Sequence, residues 1–123
     1  MTANSNIQLG TAGEAAAARY LETCGFKIIE TDFRTKQAQI DIIAQDQQTI
    51  CFIEVKTRRS LRKGLPRESV TLKKQKKIVQ GALFYIKNRK LGDSGIRFDV
   101  VEVFSTNNSG FEFNLIKNAF QPG

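Results

Sequence analysis

In two stretches of the chain the apolar residues recur every three or four positions, which predicts helices. Five shorter stretches have the apolar patterns of β-strands. The helical stretches are 9–24 and 71–90, and the strand-like ones are 26–34, the two arms of 39–57, 96–104 and 111–117. The order αβββαββ predicts an α/β fold in which a mixed β-sheet is flanked by helices. We expect a single domain, residues 9–120, behind a polar and disordered tail, residues 1–8.

Signals at both ends delimit the first helix. Thr11 and Glu14 have the spacing of a capping box at its start, and Gly25 stands where a glycine commonly ends a helix. The capping role gives Glu14 a sufficient local explanation, and a role in a functional site stays open beside it. The inward stripe of this helix is expected to contain Ala17, Tyr20, Leu21 and Cys24.

The second helix is predicted to begin at Thr71, a residue type that commonly caps helices. Gly81 costs about 1 kcal/mol relative to alanine in the middle of a helix, which suggests a close approach to the sheet at this point. The buried side is predicted to hold Leu72, Val79, Ala82, Leu83 and Ile86.

Residues 39–57 are predicted to form an antiparallel hairpin, because two β-branched arms flank the polar residues 45–48. We expect Ala44 to face Thr49 across this turn. A register one residue away would move every side chain of one arm to the opposite face of the sheet.

With this register, Asp41 lies diagonal to Glu54, about 7–8 Å away between Cα atoms. Glu54 and Lys56 share one face, because side chains alternate along a strand. One interpretation is a structural Glu54–Lys56 ion pair with Asp41 at the surface. The other is a site for a hard cation such as Mg²⁺, which prefers oxygen ligands and often takes one or two carboxylates plus a phosphate. Lys56 would then orient or deprotonate a water molecule, or neutralise charge on the phosphate.

A third acid, Asp99, lies in the strand-like stretch 96–104 beside Arg97. The two side chains are on the same face of that strand, since they are two residues apart. We favour an ion pair with Arg97 or a nearby lysine over a role in the functional site.

The composition is that of one globular domain, with 41% hydrophobic and 25% charged residues among 123. The sequence has no apolar run long enough to span a membrane and no signal-peptide pattern. We therefore expect a cytoplasmic protein without a membrane partner. The two cysteines, Cys24 and Cys51, are too few for a disulfide framework and are interpreted as buried thiols in a reducing compartment.

The chain contains no histidine. This excludes catalytic triads that use histidine, histidine-ligated zinc, and the most common general base. A catalytic site in this chain must use carboxylates, lysines and a bound cation.

The net charge of +7 is concentrated in one segment. Residues 58–90 contain twelve lysines and arginines and one acid, Glu68. Such asymmetry produces a one-sided positive field that suits a polyanion such as nucleic acid, although basic segments are also common as solvated faces. The basic loop 60–67 is either a mobile clamp over a substrate backbone or a plain connection.

Short motifs stand in a fixed order along residues 9–120 and together resemble the YraN-like family. These bacterial proteins have a restriction-endonuclease-like fold and are akin to archaeal Holliday junction resolvases. The motifs are Leu9-Gly10 with Gly13-Glu14, Ile40-Asp41-Ile42-Ile43-Ala44, Phe52-Ile53-Glu54-Val55-Lys56-Thr57-Arg58, Ser69-Val70-Thr71, Lys74-Gln75 with Lys77, Arg97-Phe98-Asp99-Val100-Val101 and Ile116-Lys117-Asn118-Ala119-Phe120.

The resemblance implies a metal site. Asp41 and Glu54 correspond to the metal-binding acids of the nuclease superfamily, and the carbonyl of Val55 would be a further ligand. Glu14 matches the acid of the first helix that approaches the metal in resolvases. The metal would be Mg²⁺ or Mn²⁺.

The resemblance also implies how the substrate is handled. Lys56 corresponds to the catalytic lysine, and Lys74 and Gln75 match helix positions that face the substrate backbone. With the basic segment, the predicted nucleic-acid-binding residues are Arg58, Arg59, Arg62, Lys63, Lys73, Lys74, Gln75 and Lys77.

One residue departs from the family pattern, because Gln39 stands where the family usually has a glutamate. Three hypotheses therefore remain. The first is a metal-dependent endonuclease that hydrolyses DNA, in preference to RNA, with branched or damaged DNA as candidate substrates. The others are a nucleic-acid-binding module without hydrolysis and a protein-interaction scaffold. Whether the chain forms a homodimer, as resolvases do, also stays open.

Overall fold

The computed structural model describes residues 2–58, 70–106 and 110–122, with side chains from Gly10 onward. In these ranges the elements are α1 (Thr2–Thr23), β1 (Lys27–Arg34), β2 (Gln39–Asp46), β3 (Thr49–Arg58), α2 (Leu72–Asn88), β4 (Gly95–Ser105) and β5 (Phe111–Phe120). Neither described helix combines the length and the apolar character that a membrane span requires.

The strands form one sheet in the order β1-β2-β3-β4-β5. Neighbouring strands are antiparallel except β3 and β4, which are parallel. A parallel pair needs a long crossover, and α2 lies in that connection. The predicted α/β class, with a mixed sheet and the order αβββαββ, is confirmed and matches a restriction-endonuclease-like fold.

Each face of the sheet has its own hydrophobic core under one helix. The α1 face includes Ala17, Leu21, Ile42, Ile53 and Val101. The α2 face includes Ile43, Phe52, Ile78, Tyr85 and Phe98. Along β3, alternation sends Ile53 to the α1 face and Phe52 to the α2 face, so Glu54 also belongs to the α2 face.

The first helix begins at Thr2, before the predicted start at Leu9. Thr11 and Glu14 therefore lie inside the helix, where backbone N–H groups already bond to carbonyls four residues earlier. The predicted capping box is wrong for this reason. Glu14, which is half-buried, needs another explanation.

A glycine reverses the chain where α1 ends, as predicted. Gly25 has φ of 95°, a value that few other residues adopt. The N–H of Phe26 donates to the carbonyl of Leu21 at 3.0 Å, and the N–H of Gly25 donates to the carbonyl of Glu22 at 3.0 Å. These two bonds form a Schellman motif, and its hydrophobic pair, Leu21 and Phe26, is buried in the core of the α1 face.

The two cysteines differ in their surroundings. Cys51 is buried, as predicted, whereas Cys24 is exposed, so both its predicted burial and its place in the inward stripe are wrong. The helix ends at Thr23, and the Schellman turn carries Cys24 away from the line along which the helix packs.

The inward side of α2 differs from the prediction. Leu72 and Leu83 are exposed to 72% and 57%, so their predicted burial is wrong, whereas Ala82 is buried and Val79 and Ile86 are partly buried. The buried residues are Ile78, Gly81, Ala82 and Tyr85. The helical spacing of apolar residues is compatible with either flank of α2 facing the sheet. The close contact at Gly81 fixes which flank is buried. A Cβ at Gly81 would lie 3.1 Å from Ala38 Cβ, which confirms the predicted close approach.

The hairpin of β2 and β3 is confirmed, but its register differs by two residues from the prediction. Asp46 pairs with Thr49, and Ala44 pairs with Cys51 rather than Thr49. The turn is shorter than expected because Gln47, at φ of 59°, closes it within two residues. A shift of two residues does not by itself move a side chain to the other face of the sheet.

We predict that Gly13→Ala destabilises the fold although alanine favours helices. A Cβ at residue 13 would overlap Thr57 Oγ1 and would lie 3.3 Å from Thr57 Cβ. Overpacking of this kind costs about 1–3 kcal/mol, which exceeds the gain of about 1 kcal/mol in helix propensity. Urea denaturation should show a lower free energy of unfolding.

Gly10→Ala is the matched control, because nothing lies within 4 Å of a Cβ at that position in the same helix. It should be neutral or stabilising. In a Thr57→Ala background the cost of Gly13→Ala should largely disappear, since the overlapping atoms are gone. Equal effects at positions 10 and 13 would contradict the close contact between α1 and β3.

Candidate functional site

Two buried carboxylates lie at the base of a cleft between α2 and the β1–β2 connection. Asp41 on β2 is 9% exposed and Glu54 on β3 is 5% exposed. Both line a cleft of about 440 Å³. The regular β2–β3 pairing ends at Ile42 and Ile53, and Asp41 and Glu54 are the next residues along the two strands. Both face the same cleft, as the predicted shared face requires, and the charge of Glu54 acts on Asp41.

The side chain of Asp41 replaces one backbone hydrogen bond between β2 and β3. The N–H of Val55 donates to Asp41 Oδ2 at 2.8 Å, a bond that a backbone carbonyl of β2 would otherwise accept. The backbone pairing accordingly begins only at Ile42. Side-chain alternation is also broken here, since Ile40 joins the core of the α2 face and Ile42 that of the α1 face. The local irregularity of β2 therefore aims the carboxylate into the cleft.

Glu54 is paired with a lysine from α2. Lys74 Nζ lies 2.5 Å from Glu54 Oε2. The start of α2 is fixed by Thr71, whose side chain accepts the N–H of Lys74 at 3.2 Å, which confirms the predicted N-cap. Gln75 donates to the carbonyl of Val70 at 2.8 Å. A rigid first turn thus presents Lys74 to the acid pair.

The electrostatics of the site are dominated by burial and like charge. Burial and, after it, the charge of Glu54 raise the pKa of Asp41 to about 7, because the Val55 N–H and Lys74 only partly offset them. Burial, followed by Asp32 and Glu54, raises the pKa of Glu14. Burial lowers the pKa of Lys74, but the hydrogen bond and charge of Glu54 outweigh it and hold that pKa above the ordinary value. The acids thus form an under-compensated negative centre.

Asp99, another buried acid, provides a contrast. Arg97 Nε donates to Asp99 Oδ1 at 2.9 Å, which confirms the predicted pair, and the N–H of Asn118 donates to the same oxygen at 2.8 Å. Arg97 also reaches Asp46 at 2.9 Å. Asn118 has φ of 55° in a bulge of β5, which continues past its predicted end to Phe120. These contacts explain Asp99 as a structural residue.

The predicted catalytic lysine, Lys56, is not among the described residues that line the cleft. It is half-buried on β3, on the same face as Glu54, and pairs in register with Glu102 of β4. The lysine that reaches Glu54 is Lys74, for which the family resemblance implied only a position facing the substrate backbone.

The cleft has basic residues on both sides. Lys73 and Lys77 of α2, two of the predicted nucleic-acid-binding residues, line one side. Arg34 and Lys36, from the β1–β2 end, line it together with Gln39. The sequence pattern missed this second pair, although the spacing Arg34-x-Lys36 directly before the hairpin was a usable signal.

The other predicted nucleic-acid-binding residues have different positions. Gln75 and Arg58 are not among the described residues that line the cleft. Arg58 lies 3.7 Å from Glu102 Oε2. Arg59, Arg62, Lys63 and the predicted basic loop 60–67 lie outside the described residues, and so do residues 107–109.

Gln39 also lines the cleft, but its amide turns toward another acid. Gln39 Nε2 donates to Asp32 Oδ1 at 2.9 Å, and Arg34 Nε donates to the same oxygen at 3.0 Å. Asp32 has φ of 54°, in the left-handed region. The side chain of Gln39 is therefore used as a hydrogen-bond donor.

The donor set fits a hard divalent cation that takes its remaining ligands from water or phosphate. Two carboxylates are often the whole protein contribution to a Mg²⁺ site. Within residues 10–58, 70–106 and 110–122, no three acidic, cysteine or histidine side chains are grouped closely enough to hold a metal by themselves. The charge of Glu14 therefore interacts with Asp41 and Glu54, but the three carboxylates are not grouped closely enough to form one metal site.

We predict that removing the charge of Asp41 stabilises the metal-free protein above neutral pH. In the unfolded chain this carboxyl ionises near its ordinary pKa of 3.8, and in the folded protein near 7. Folding stability is therefore lost as the pH rises between these values, and the loss is complete above the folded pKa. Asp41→Asn cannot ionise but retains an oxygen for the Val55 N–H.

The stabilisation by Asp41→Asn should increase by up to about 3 kcal/mol between pH 5 and pH 8, at about 1.4 kcal/mol per tenfold change in the protonation equilibrium. Urea denaturation in EDTA at both pH values measures this difference. A stability difference that is the same at pH 5 and pH 8 would contradict the raised pKa.

Comparison with known proteins places these residues in a family. The model of the uncharacterised protein family UPF0102 matches residues 13–103, which include both buried acids of the cleft and Lys74. A UPF0102 protein of Desulforapulum autotrophicum is 48% identical over 118 residues, covering 96% of this chain and 97% of the relative. A UPF0102 protein of Caldicellulosiruptor saccharolyticus is 43% identical over 114 residues, covering 92% and 97%.

A third relative, a UPF0102 protein of Clostridium botulinum, is 47% identical over 118 residues, covering 94% of this chain and 96% of the relative. Such identity over nearly the full length of three proteins extends well beyond the isolated Glu-x-Lys motif. The resemblance to the YraN-like proteins is confirmed, and the chain belongs to the UPF0102 family.

Proposed function

We propose that this protein is a metal-dependent endonuclease that hydrolyses phosphodiester bonds of DNA. The observation that carries the proposal is the buried pair Asp41 and Glu54 at the base of a cleft with basic sides. Burying two like-charged carboxylates side by side costs several kcal/mol unless a cation compensates them. A fold selected for stability alone would not retain that pair.

The basic sides of the cleft support a nucleic-acid substrate. Lys73 and Lys77 on one side and Arg34 and Lys36 on the other could contact phosphates that flank the acids. Phosphate contacts supply most of the sequence-independent affinity for nucleic acid. They position a strand but do not select a base sequence, which is consistent with recognition of DNA shape.

Asp41 and Glu54 would hold Mg²⁺ or Mn²⁺, with the carbonyl of Val55 as a further ligand. In an antiparallel pair the N–H and C=O of one residue point to the same partner strand. Since the N–H of Val55 donates to Asp41, its carbonyl is directed toward that side as well. When bound, such a cation polarises a phosphoryl oxygen and lowers the pKa of a water ligand.

The chain's own groups would orient and neutralise the substrate. The Val55 N–H fixes the direction of the Asp41 carboxylate. Lys74, which already reaches Glu54, could neutralise charge that develops on the attacked phosphate. Lys56 is the lysine that the family resemblance implies for positioning the attacking water, and both lysines therefore need testing.

We predict that the wild-type protein cleaves at least one of three DNA substrates, a four-way junction, a flap and a duplex, with Mg²⁺ or Mn²⁺ and not in EDTA. Asp41→Asn should lower the rate by about a hundredfold or more, since the effect of a group that acts in the transition state appears in kcat. Gel-based cleavage with purified protein measures this.

Asp93→Asn is the matched control, because Asp93 is an exposed acid outside the cleft, and its rate should equal that of the wild type. Lys56→Met and Lys74→Met, compared side by side, show which lysine acts in cleavage. Cleavage that persists in Asp41→Asn would come from a contaminant and would reject the proposal.

A binding module without hydrolysis is the second candidate, and Gln39 favours it. This residue donates to Asp32 instead of adding a carboxylate to the acid pair. If the protein is such a module, its DNA binding should weaken with salt and be unchanged by EDTA, and it should cleave none of the substrates. If Gln39→Glu created cleavage that the wild type lacks, the binding module would be the correct description.

A further inference from the structure

The ion pair between Lys74 and Glu54 bears directly on how a metal ion could enter the cleft. Glu54 is buried, with a side chain that is 4% exposed, whereas the side chain of Lys74 is 48% exposed. The lysine therefore approaches the buried acid from the open side of the cleft. It donates a charge-assisted hydrogen bond to one carboxylate oxygen, at 2.5 Å.

A lysine ammonium and a divalent cation compete for the same buried carboxylate. Both are attracted by Glu54 and by Asp41, whose charge also acts on Lys74. In a site of low polarity two neighbouring cations repel each other strongly. Occupation of the acid pair by a metal ion is therefore opposed by Lys74 as long as its ammonium stays on Glu54.

Lys74 can leave Glu54 without any movement of the helix. The Thr71 cap fixes the backbone of the first turn, and the lysine side chain has four rotatable bonds beyond that backbone. Its neighbours on the cleft wall, Lys73 and Lys77, mark the side where a phosphate would lie. A rotation of one side chain would exchange a carboxylate partner for a phosphate partner.

We propose that Lys74 is the resident counter-ion of the acid pair and that a divalent cation binds well only after Lys74 has turned to an anionic phosphate. This rests on the proposed function for the identity of the ligands. The acid pair is stabilised by the ammonium in the absence of substrate. Phosphate binding withdraws the ammonium, and the metal replaces it, so metal and nucleic acid bind cooperatively.

Thermodynamic linkage makes this cooperativity reciprocal. If the oligonucleotide increases the affinity for Mn²⁺ by some factor, Mn²⁺ must increase the affinity for the oligonucleotide by the same factor. The coupling should pass through one side chain, because only Lys74 among the described cleft lysines forms an ion pair with Glu54. Replacing Lys74 should therefore abolish the coupling while leaving both ligands able to bind.

The test is calorimetric titration of Mn²⁺ into wild type, Lys74→Met and Lys76→Met, with and without a short nuclease-resistant phosphorothioate oligonucleotide. Without the oligonucleotide, Lys74→Met should bind Mn²⁺ about tenfold more tightly than wild type, since the competing hydrogen bond lies at the weaker end of the charge-assisted range. Lys76→Met removes the same charge from an exposed position of α2 outside the cleft and should stay within about twofold of wild type.

The oligonucleotide should tighten Mn²⁺ binding in the wild type and have little effect in Lys74→Met. If Lys74→Met leaves Glu54 too poorly compensated to fold, Lys74→Gln, which keeps a hydrogen-bond donor without the charge, replaces it. Unchanged or weaker Mn²⁺ binding by the folded Lys74 variant, or undiminished coupling, would overturn the inference. Because Mn²⁺ affinity is measured without cleavage, the inference can fail while the nuclease assay succeeds, and the reverse.

Discussion

The hydrogen bond from the Val55 N–H to Asp41 Oδ2 is the contact on which the candidate site depends. It uses a side-chain carboxylate where a strand normally supplies a backbone carbonyl, and it thereby turns a buried acid toward the cleft. The bond satisfies one oxygen of Asp41 but does not neutralise its charge beside Glu54. The sheet thus retains a locally unfavourable arrangement whose compensation must come from a cation, and Lys74 is the cation that the chain itself provides.

The two helices reach this region through close backbone contacts. Gly13 brings α1 against Thr57 on one face, and Gly81 brings α2 against Ala38 and Ile40 on the other. Larger side chains at these glycines would push the helices outward and separate Glu14 and Lys74 from the strands that carry the acids. The helix positions and the electrostatics of the site are consequences of the same packing.

Much of the fold follows from residue pattern alone. The order of helical and strand-like patterns predicted the mixed sheet. Gly25 and Thr71 marked one end of each helix, because each supplies a backbone conformation or bond that few residues can. The face shared by Asp41 and Glu54 was predictable because a two-residue error in register does not change the face. Asp99 was correctly assigned to a pair with Arg97 for the simple reason that they are two residues apart on one strand.

Other features depend on tertiary contacts that no local pattern contains. Leu72 and Leu83 fit the helical stripe as well as Ile78 does, and only the approach at Gly81 decides which flank is buried. Lys56 is close to Glu54 in sequence, whereas Lys74 is close to it in space, because the crossover returns α2 over β2 and β3. The role of Gln39 likewise depends on Asp32, a residue of the neighbouring strand with an uncommon backbone conformation.

Paramagnetic NMR would test the central claim, that Asp41 and Glu54 form a cation site, most directly. Substoichiometric Mn²⁺ would be added to ¹⁵N-labelled protein, and amide line widths compared at Val55 and Asn118, whose N–H groups donate to Asp41 and Asp99. The account predicts selective broadening of the Val55 amide, because Asp41 is under-compensated whereas Asp99 is held by Arg97. Broadening at neither amide, or equally at both, would contradict it.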